Sequence, residues 1–275
     1  MSTKRKDISM KQDRIGRREI LGIAGGTTVG WVLGCNGDHA DAAEKDPRAL
    51  LGGFTWFKQS GFRVQDGNKV IYFDPYQISI TPNDADVIFI THSHSDHCDP
   101  ASVRKILKDG SKILTEPESA NTLKSVSANI TVVKPGDELT VDGFKVKVVP
   151  SYNINKSNHP KSKNYLGFVV TLSDGRRVYQ AGDTDNIPEM ADIQTDIALL
   201  PIGGTYTMTA SEAAEAAKVI RPKVAVPMHY GAVVGSVRDA EQFQQLLVGV
   251  VEVVILKNNE TVPFASGAVS GWKHQ

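Results

Sequence analysis

Apolar and polar positions along this chain fall into short blocks of about four to eight residues bounded by turn residues, the pattern of β-strands. Residues 54–64 and 69–73 read as two strands joined at Gln65-Asp66-Gly67-Asn68, where Asp-Gly is a strong hairpin signal. Val87-Ile88-Phe89-Ile90 is uniformly apolar and reads as a buried strand. Residues 112–114, 130–133, 138–141 and 144–149 continue the series, the last two joined by Asp142-Gly143. A second hairpin, 165–172 with 177–180, surrounds Ser173-Asp174-Gly175. Further strands are expected at 197–200, 224–226 and 251–256.

Helical spacing enters at four places. Asp99 is a good N-cap and Pro100 fits the first helical position; Val103, Ile106 and Leu107 then repeat with helical period, and Gly110 closes the helix. Residues 116–126 read as helix. Thr209-x-x-Glu212 is a capping box ahead of a small-residue face of Ala213, Ala216, Ala217 and Ile220. Residues 239–247 make the fourth. Strands come first, α and β then alternate, and the order repeats once. The class is α/β (α+β), with two sheets packed face to face and helices outside.

The 275 residues, 40% hydrophobic and 23% charged, suffice for one large domain or two small ones. A formal net charge of zero argues against a nucleic-acid partner, whose footprint is a basic patch. The charge is uneven: residues 1–34 hold seven Lys/Arg and three acids, so +4, which leaves −4 for the remainder. This basic start precedes an uncharged, Gly-rich apolar run over residues 20–34, too short and weakly apolar for a membrane span. Arg17-Arg18 followed by Glu19-Ile20-Leu21 resembles a twin-arginine export signal, and Val32-Leu33-Gly34-Cys35 resembles a lipoprotein box. Residues 1–35 are therefore read as a signal segment, 36–51 as a linker and 52–275 as the working domain. An exported, periplasmic or envelope location follows, with a lipid on Cys35 as the only expected membrane attachment; the alternative is an ordinary signal cleaved elsewhere. Cys98, the other cysteine, reads as a small packing residue or as a metal ligand.

Chemistry concentrates directly after the apolar run at 87–90. Within Thr91-His92-Ser93-His94-Ser95-Asp96-His97-Cys98-Asp99-Pro100, four strong metal-binding side chains lie in six residues. Three of the seven histidines of the chain are here, and uncoordinated imidazoles so crowded repel when protonated. The strand before and Pro100 after exclude a single helical face, so a loop turns the groups inward. His92 and His94 can face one ion and Asp96 and His97 another. The loop lies at the carboxyl end of a strand, where open α/β sheets place ligand sites. His159, Asp183 and His229 recur at similar strand ends, and Asp74 follows an apolar strand as a turn residue or a brace for the loop.

This constellation resembles the metallo-β-lactamase superfamily. The motifs are His92-x-His94-x-Asp96-His97, a later histidine, Gly182-Asp183-Thr184 and Pro227-Met228-His229-Tyr230. Phe73-Asp74-Pro75-Tyr76 and Leu200-Pro201-Ile202-Gly203-Gly204 add to it. Within the superfamily the chain is most similar to the L-ascorbate-6-phosphate lactonase-like metal-dependent hydrolases, over about residues 52–260. The resemblance implies a four-layer αββα sandwich with metal between the sheet edges. It implies that His92, His94 and His159 hold one ion and Asp96, His97 and His229 a second, with Asp183 bridging. There are two departures. Where relatives have Trp-x-Gly-His-Ser, this chain has Trp56-Phe57-Lys58-Gln59-Ser60. Where many place their third histidine, it has Asn153, which makes His159 the only histidine in that loop.

The implied activity is hydrolysis of an ester, lactone or phosphodiester by a metal-activated hydroxide, with Asp96 as ligand and as orienting or proton-accepting catalytic group. Mixed imidazole and carboxylate donors suit zinc, with manganese or iron as alternatives. Asn153, Tyr206 and Tyr230 are the candidate contacts to a small-molecule substrate, with Asn153 alternatively a group that braces a ligand from behind, and Tyr152 and Thr205 also neighbour the ligands. The alternatives are a phospholipid-type phosphodiesterase, suggested by the anchor, and a non-catalytic metal- or ligand-binding envelope protein.

Overall fold

The computed structural model describes residues 46–126 and 128–265. The signal-like segment, Cys35, His39, His274 and most of the expected linker lie outside the described residues. The last part of that linker does not behave as one. Pro47–Leu51 forms a 3-10 turn capped by Asp46, Leu50 and Leu51 are buried, and Arg176 Nη1 donates to the Leu50 carbonyl at 2.5 Å. The packed domain thus begins ahead of residue 52.

The first sheet is built from β1 (Phe54–Trp56), β2 (Phe62–Asp66), β3 (Lys69–Phe73), β4 (Ala85–Phe89), β5 (Leu107–Thr115) and β6 (Asn129–Val132). The second is built from β7 (Glu138–Val141), β8 (Phe144–Pro150), β9 (Leu166–Thr171), β10 (Arg177–Gln180), β11 (Ile197–Pro201), β12 (Val224–Met228) and β13 (Glu252–Val253). A short β14 (Glu260–Thr261) returns to pair with β1, giving the orders β14-β1-β2-β3-β4-β5-β6 and β13-β12-β11-β10-β9-β8-β7. Each sheet runs antiparallel through its first strands and parallel through its last, so the repeat read from the sequence is an architectural one.

Alternation within strands decides what each face buries. Phe62, Val64, Ile71, Phe73, Val87 and Phe89 of the first sheet join Phe168, Val170 and Val178 of the second in one core between the sheets. Phe89 stacks on Phe73 at 5.2 Å and meets Phe168 across the gap at 5.1 Å. The opposite face of the first sheet, with Tyr72, Ile88 and Ile113, packs against Val103 and Ile106 of α1 (Pro100–Ile106) and Leu123 of α2 (Pro117–Leu123). On the far side, α3 (Ala210–Ile220) and α4 (Val237–Leu247) bury Ala213, Ala216, Ala217, Ile220, Ala240, Phe243 and Leu247. The result is a four-layer αββα sandwich. Among the described residues no helix is long and apolar enough to cross a membrane.

Three elements differ from the sequence reading. Residues 54–64 are not one strand: the chain reverses between β1 and β2, Gln59 takes a left-handed φ of 48°, and Phe54 pairs with Val64. The α1 helix stops at Ile106, and Gly110, with φ 82°, lies inside β5 instead of closing the helix. The expected 251–256 strand pairs only over Glu252–Val253. The Asp99 cap holds as read: its carboxylate accepts from Ala101 N–H at 3.0 Å and from Ser102 Oγ at 2.6 Å.

Two clamps hold the sheets in register across the core. At one end Asp66 accepts from Ser173 N–H and Oγ, both at 2.7 Å. At the other, Leu166 N–H donates to the Thr91 carbonyl at 3.0 Å and Gln180 Nε2 to the Ser60 carbonyl at 2.9 Å. Phe168 is fully buried between the two clamps. Phe168→Ala is expected to cost about 3–5 kcal/mol of unfolding free energy, measured by denaturant titration, because neighbours fixed in two sheets cannot collapse into the cavity.

Candidate active site

The carboxyl ends of β4, β10 and β12 converge at one edge of the sandwich. The loop after β4 brings His92, His94, Asp96 and His97; the segment after β10 brings Asp183; the residue after β12 is His229; and the 151–160 loop brings His159. Gly182 is required by close approach. Its φ is 65°, and a Cβ there would lie 2.6 Å from the Leu166 carbonyl oxygen.

These side chains form three overlapping groups whose donor atoms lie within 4.8 Å of one another: His92, His94 and His159; His92, His97 and Asp183; and Asp96, His97 and His229. His94 Nδ1 is 3.1 Å from both His92 Nε2 and His159 Nε2. Asp183 faces both sides. Its Oδ2 is 3.3 Å from His159 Nε2 and 3.1 Å from His229 Nε2, and its Oδ1 is 3.2 Å from His97 Nε2. Asp96 Oδ2 lies 3.5 Å from His229 Nε2 and 3.7 Å from His97 Nε2. All seven residues singled out in the sequence are brought together.

The outward nitrogens of the rings are set from behind. Asp74 is fully buried and accepts from Thr91 N–H and Thr91 Oγ1, each at 2.8 Å, and from His97 Nδ1 at 2.9 Å. Because the Thr91 hydroxyl proton goes to Asp74, His92 Nδ1–H donates to Thr91 Oγ1 at 3.0 Å. Both histidines therefore present bare Nε2 atoms to the site when neutral. His159 is set the same way by Asn153, whose Oδ1 accepts from His159 N–H at 3.1 Å and Nδ1–H at 3.0 Å. The Asn153 amide donates to Asp185 Oδ1 at 3.1 Å and to the Tyr206 carbonyl at 3.0 Å. With every hydrogen-bonding position engaged, Asn153 orients a ring and has none left for a substrate, so of its two expected roles it takes that of a brace behind a ligand.

Burial pushes the His92 pKa well below the ordinary imidazole value, lowers that of His94, and takes that of His159 down to about 4. At His229 burial works in the same direction but the Asp183 carboxylate outweighs it, raising the pKa to about 9. Asp183 and Asp74 likewise hold His97 well above its ordinary value against burial. Burial opposes ionisation of Asp183, yet His229 and His97 hold it well below the carboxylate range. Neutral imidazoles on one side and proton-carrying imidazoles beside carboxylates on the other are a cation site in which protons stand where a metal binds. Among the described residues, seven buried side-chain polar atoms lack a hydrogen-bond partner. Four of them are His97 Nε2, Asp183 Oδ1 and both ring nitrogens of His229. Unpartnered buried polar atoms are costly, and their gathering here fits a divalent cation. His229 is also held at φ 59°, backbone strain of the kind concentrated at functional sites.

A cavity of about 170 Å³ opens on this cluster, lined by His94, Asp96, His159, Asp183 and His229 and by Asn158, Tyr206 and Val233. Tyr206 stands where a substrate contact was expected. Tyr230 does not: it is buried, stacked on Trp56 at 5.0 Å, its hydroxyl pushed up to about 12 by burial. Thr205 is exposed and not among the lining residues, and the Tyr152 hydroxyl donates to Glu189 at 2.8 Å, away from the cavity. Cys98 is buried among Ile88, Ile90 and Val103 and packs rather than facing the cluster. The sequence reading missed Tyr165, whose ring lies 4.9 Å from that of His92 and 6.0 Å from that of His159, and the rim residues Asn158 and Val233. Only the position of Tyr165 directly after the polar loop pointed to it. Asp74→Asn places an amide where three donors converge, and is expected to weaken metal binding about 10–100-fold in a chelator competition titration.

Comparison with known proteins agrees with this geometry. The family model described as a β-lactamase superfamily domain matches residues 53–229. A metal-dependent hydrolase of Thermococcus onnurineus is 36% identical over 210 residues, 70% of this chain and 92% of that protein. One from Thermoplasma acidophilum is 35% identical, over 70% of this chain and 90% of that protein. A crystal structure of a Parabacteroides distasonis protein described as a metal-dependent hydrolase superposes with TM-score 0.66 at 35% identity, covering 74% of this chain and 91% of that one. A metallo hydrolase of Ignicoccus hospitalis superposes with TM-score 0.63 at 27% identity, covering 76% and 96%. Sheet order, the convergent histidines and aspartates, and these relatives together show that the chain belongs to the β-lactamase superfamily of metal-dependent hydrolases.

Proposed function

We propose that this enzyme hydrolyses an ester, a lactone or a phosphodiester at a two-metal centre. His92, His94 and His159 would hold one ion and Asp96, His97 and His229 the other, with Asp183 available to both. The observation that carries this reading is the place of Asp183, one oxygen of which lies between His159 and His229 while the other faces His97. Five imidazoles with two carboxylates favour zinc, with manganese or iron as alternatives. When bound, such ions lower the pKa of water toward neutrality and polarise the carbonyl or phosphoryl oxygen under attack.

The residues of the chain supply the rest. Asp96 opens on the cavity, so its carboxylate orients the attacking water and accepts its proton. Tyr206, at the cavity wall, donates to the oxygen on which negative charge develops. Asp74 and Asn153 keep His97, His92 and His159 from rotating as charge changes beside them. The protein is expected to carry two divalent ions by elemental analysis and to turn over members of an ester, lactone and phosphodiester panel. Removing the ions with a chelator, or His94→Ala, should abolish that turnover. Turnover that persists in the metal-free protein ends the two-metal reading.

We also propose that residues 1–35 export the folded enzyme, which then stays at the envelope through a lipid on Cys35. Arg17-Arg18 and the Val32-Leu33-Gly34-Cys35 sequence support this. In cell fractionation the intact chain is expected with membranes, and Arg17→Lys with Arg18→Lys inside the cell. Cys35→Ala should be membrane-free. Identical fractionation of all three would overturn it.

A further inference from the structure

The turn between β1 and β2 carries Gln59, fully buried although it is polar and lies beside the cluster of ligand atoms. It stands where the Trp-x-Gly-His-Ser pattern has its histidine. Its amide Nε2 donates to Asp96 Oδ2 at 3.0 Å, and its Oε1 accepts from Val233 N–H at 3.3 Å. Its backbone carbonyl accepts from His229 N–H at 2.9 Å and from the Trp56 indole at 3.0 Å. One residue of the first sheet thereby touches a ligand of its own sheet, a ligand of the second sheet and a wall of the cavity.

We propose that Gln59 is a positioning residue that fixes the orientation of the Asp96 carboxylate and couples it to the 229–233 segment. This rests on the two-metal reading above. Asp96 Oδ2, the oxygen that accepts the amide, is also the one facing His97 and His229. Asp96 Oδ1 has no hydrogen bond among the described residues and is the oxygen left to accept a hydrogen bond from water. The amide thus assigns the two oxygens their separate duties. A neutral side chain with one donor and one acceptor end fits this place, because it satisfies both a carboxylate and a backbone N–H in a buried position. The Oε1 bond to Val233 makes the cavity wall and the Asp96 carboxylate move as one, so that a substrate seated against Val233 is registered to Asp96.

Two variants separate these duties. Gln59→Met keeps the length of the side chain and removes both bonds. Gln59→Glu keeps an acceptor for Val233 N–H and removes the amide donor to Asp96. Zinc affinity, read by chelator competition without any substrate, is expected to fall about 10–100-fold in both. On whichever panel member the wild type hydrolyses, kcat should fall over the same range in both, while KM rises only in Gln59→Met. Thermal unfolding of the metal-free proteins checks that they are folded, and if Gln59→Met does not fold, the zinc affinity of Gln59→Glu decides. Wild-type zinc affinity and kcat in a folded variant overturn the proposal, and an equal KM rise in both variants overturns the link to Val233. A wild-type protein that binds one ion fails the two-metal reading instead, and a loss of zinc affinity in Gln59→Met would still place Gln59 behind its ligand set.

Discussion

A buried carboxylate, Asp74, is the interaction on which the geometry of this site depends. Sequestered from water and unpaired it would be prohibitively costly, and it is tolerated because three donors converge on it. Each of those bonds fixes something else. The backbone bond to Thr91 ends β4 in a defined direction. The hydroxyl bond leaves Thr91 Oγ1 as an acceptor and so determines which nitrogen of His92 carries the proton. The bond to His97 determines the same for that ring. Two imidazoles in different ligand groups are thus aimed by one side chain. Asp74 itself sits at φ 38°, a backbone cost of about 1–3 kcal/mol that the surrounding strands must override.

The other half of the geometry is electrostatic. Seven ionisable groups share one edge of the sandwich, and four of the five rings among them are buried. Without a cation, their charges balance only through protons shared between His97, His229 and the carboxylates. A divalent cation would displace those protons and could take ligands from both sheets at once. Binding therefore adds to cohesion between the sheets as well as to chemistry, by roughly 1.4 kcal/mol for each tenfold excess of free metal over its dissociation constant. The unpartnered nitrogens and the left-handed backbone of His229 are costs borne by the fold for that purpose.

Much of this was legible in the sequence because the relevant signals are local. Val87 to Pro100 contains a strand, a ligand loop and a helix cap within fourteen residues, and each part follows from side-chain chemistry alone. The repeated order of strands gave the two-sheet layout for the same reason. What stayed hidden depends on contacts distant in sequence. The break at Gln59 is hard to see in hydrophobic alternation, because apolar residues such as Phe54, Trp56, Phe62 and Val64 are buried on both sides of it. Gly110 looks like a helix stop in sequence, and only pairing with β4 converts Leu107 onward into strand. Tyr230 sits beside a ligand in the chain, but its partner Trp56 lies far off in sequence, so proximity along the chain suggested a contact with substrate; the distant bonds of Asn153 to Asp185 and Tyr206, which leave it none for a substrate, were hidden in the same way.

Ligand set and cavity rim are divided between the sheets in unequal ways. The first sheet contributes His92, His94, Asp96 and His97 from one loop, and the second contributes His159, Asp183 and His229 from three. The rim residues Asn158, Tyr206 and Val233 all belong to the second sheet, each on a separate connection. A cavity of about 170 Å³ is smaller than the 300–1,000 Å³ typical of sites that enclose a whole ligand. Such a volume has room for a reacting group rather than for a whole substrate. The three rim residues are ones that no ligand group includes, on loops that can vary while the ligand set stays whole. Such a division lets one hydrolytic centre serve many substrates, and it is why the ligand motif announces the chemistry of this enzyme without announcing its substrate.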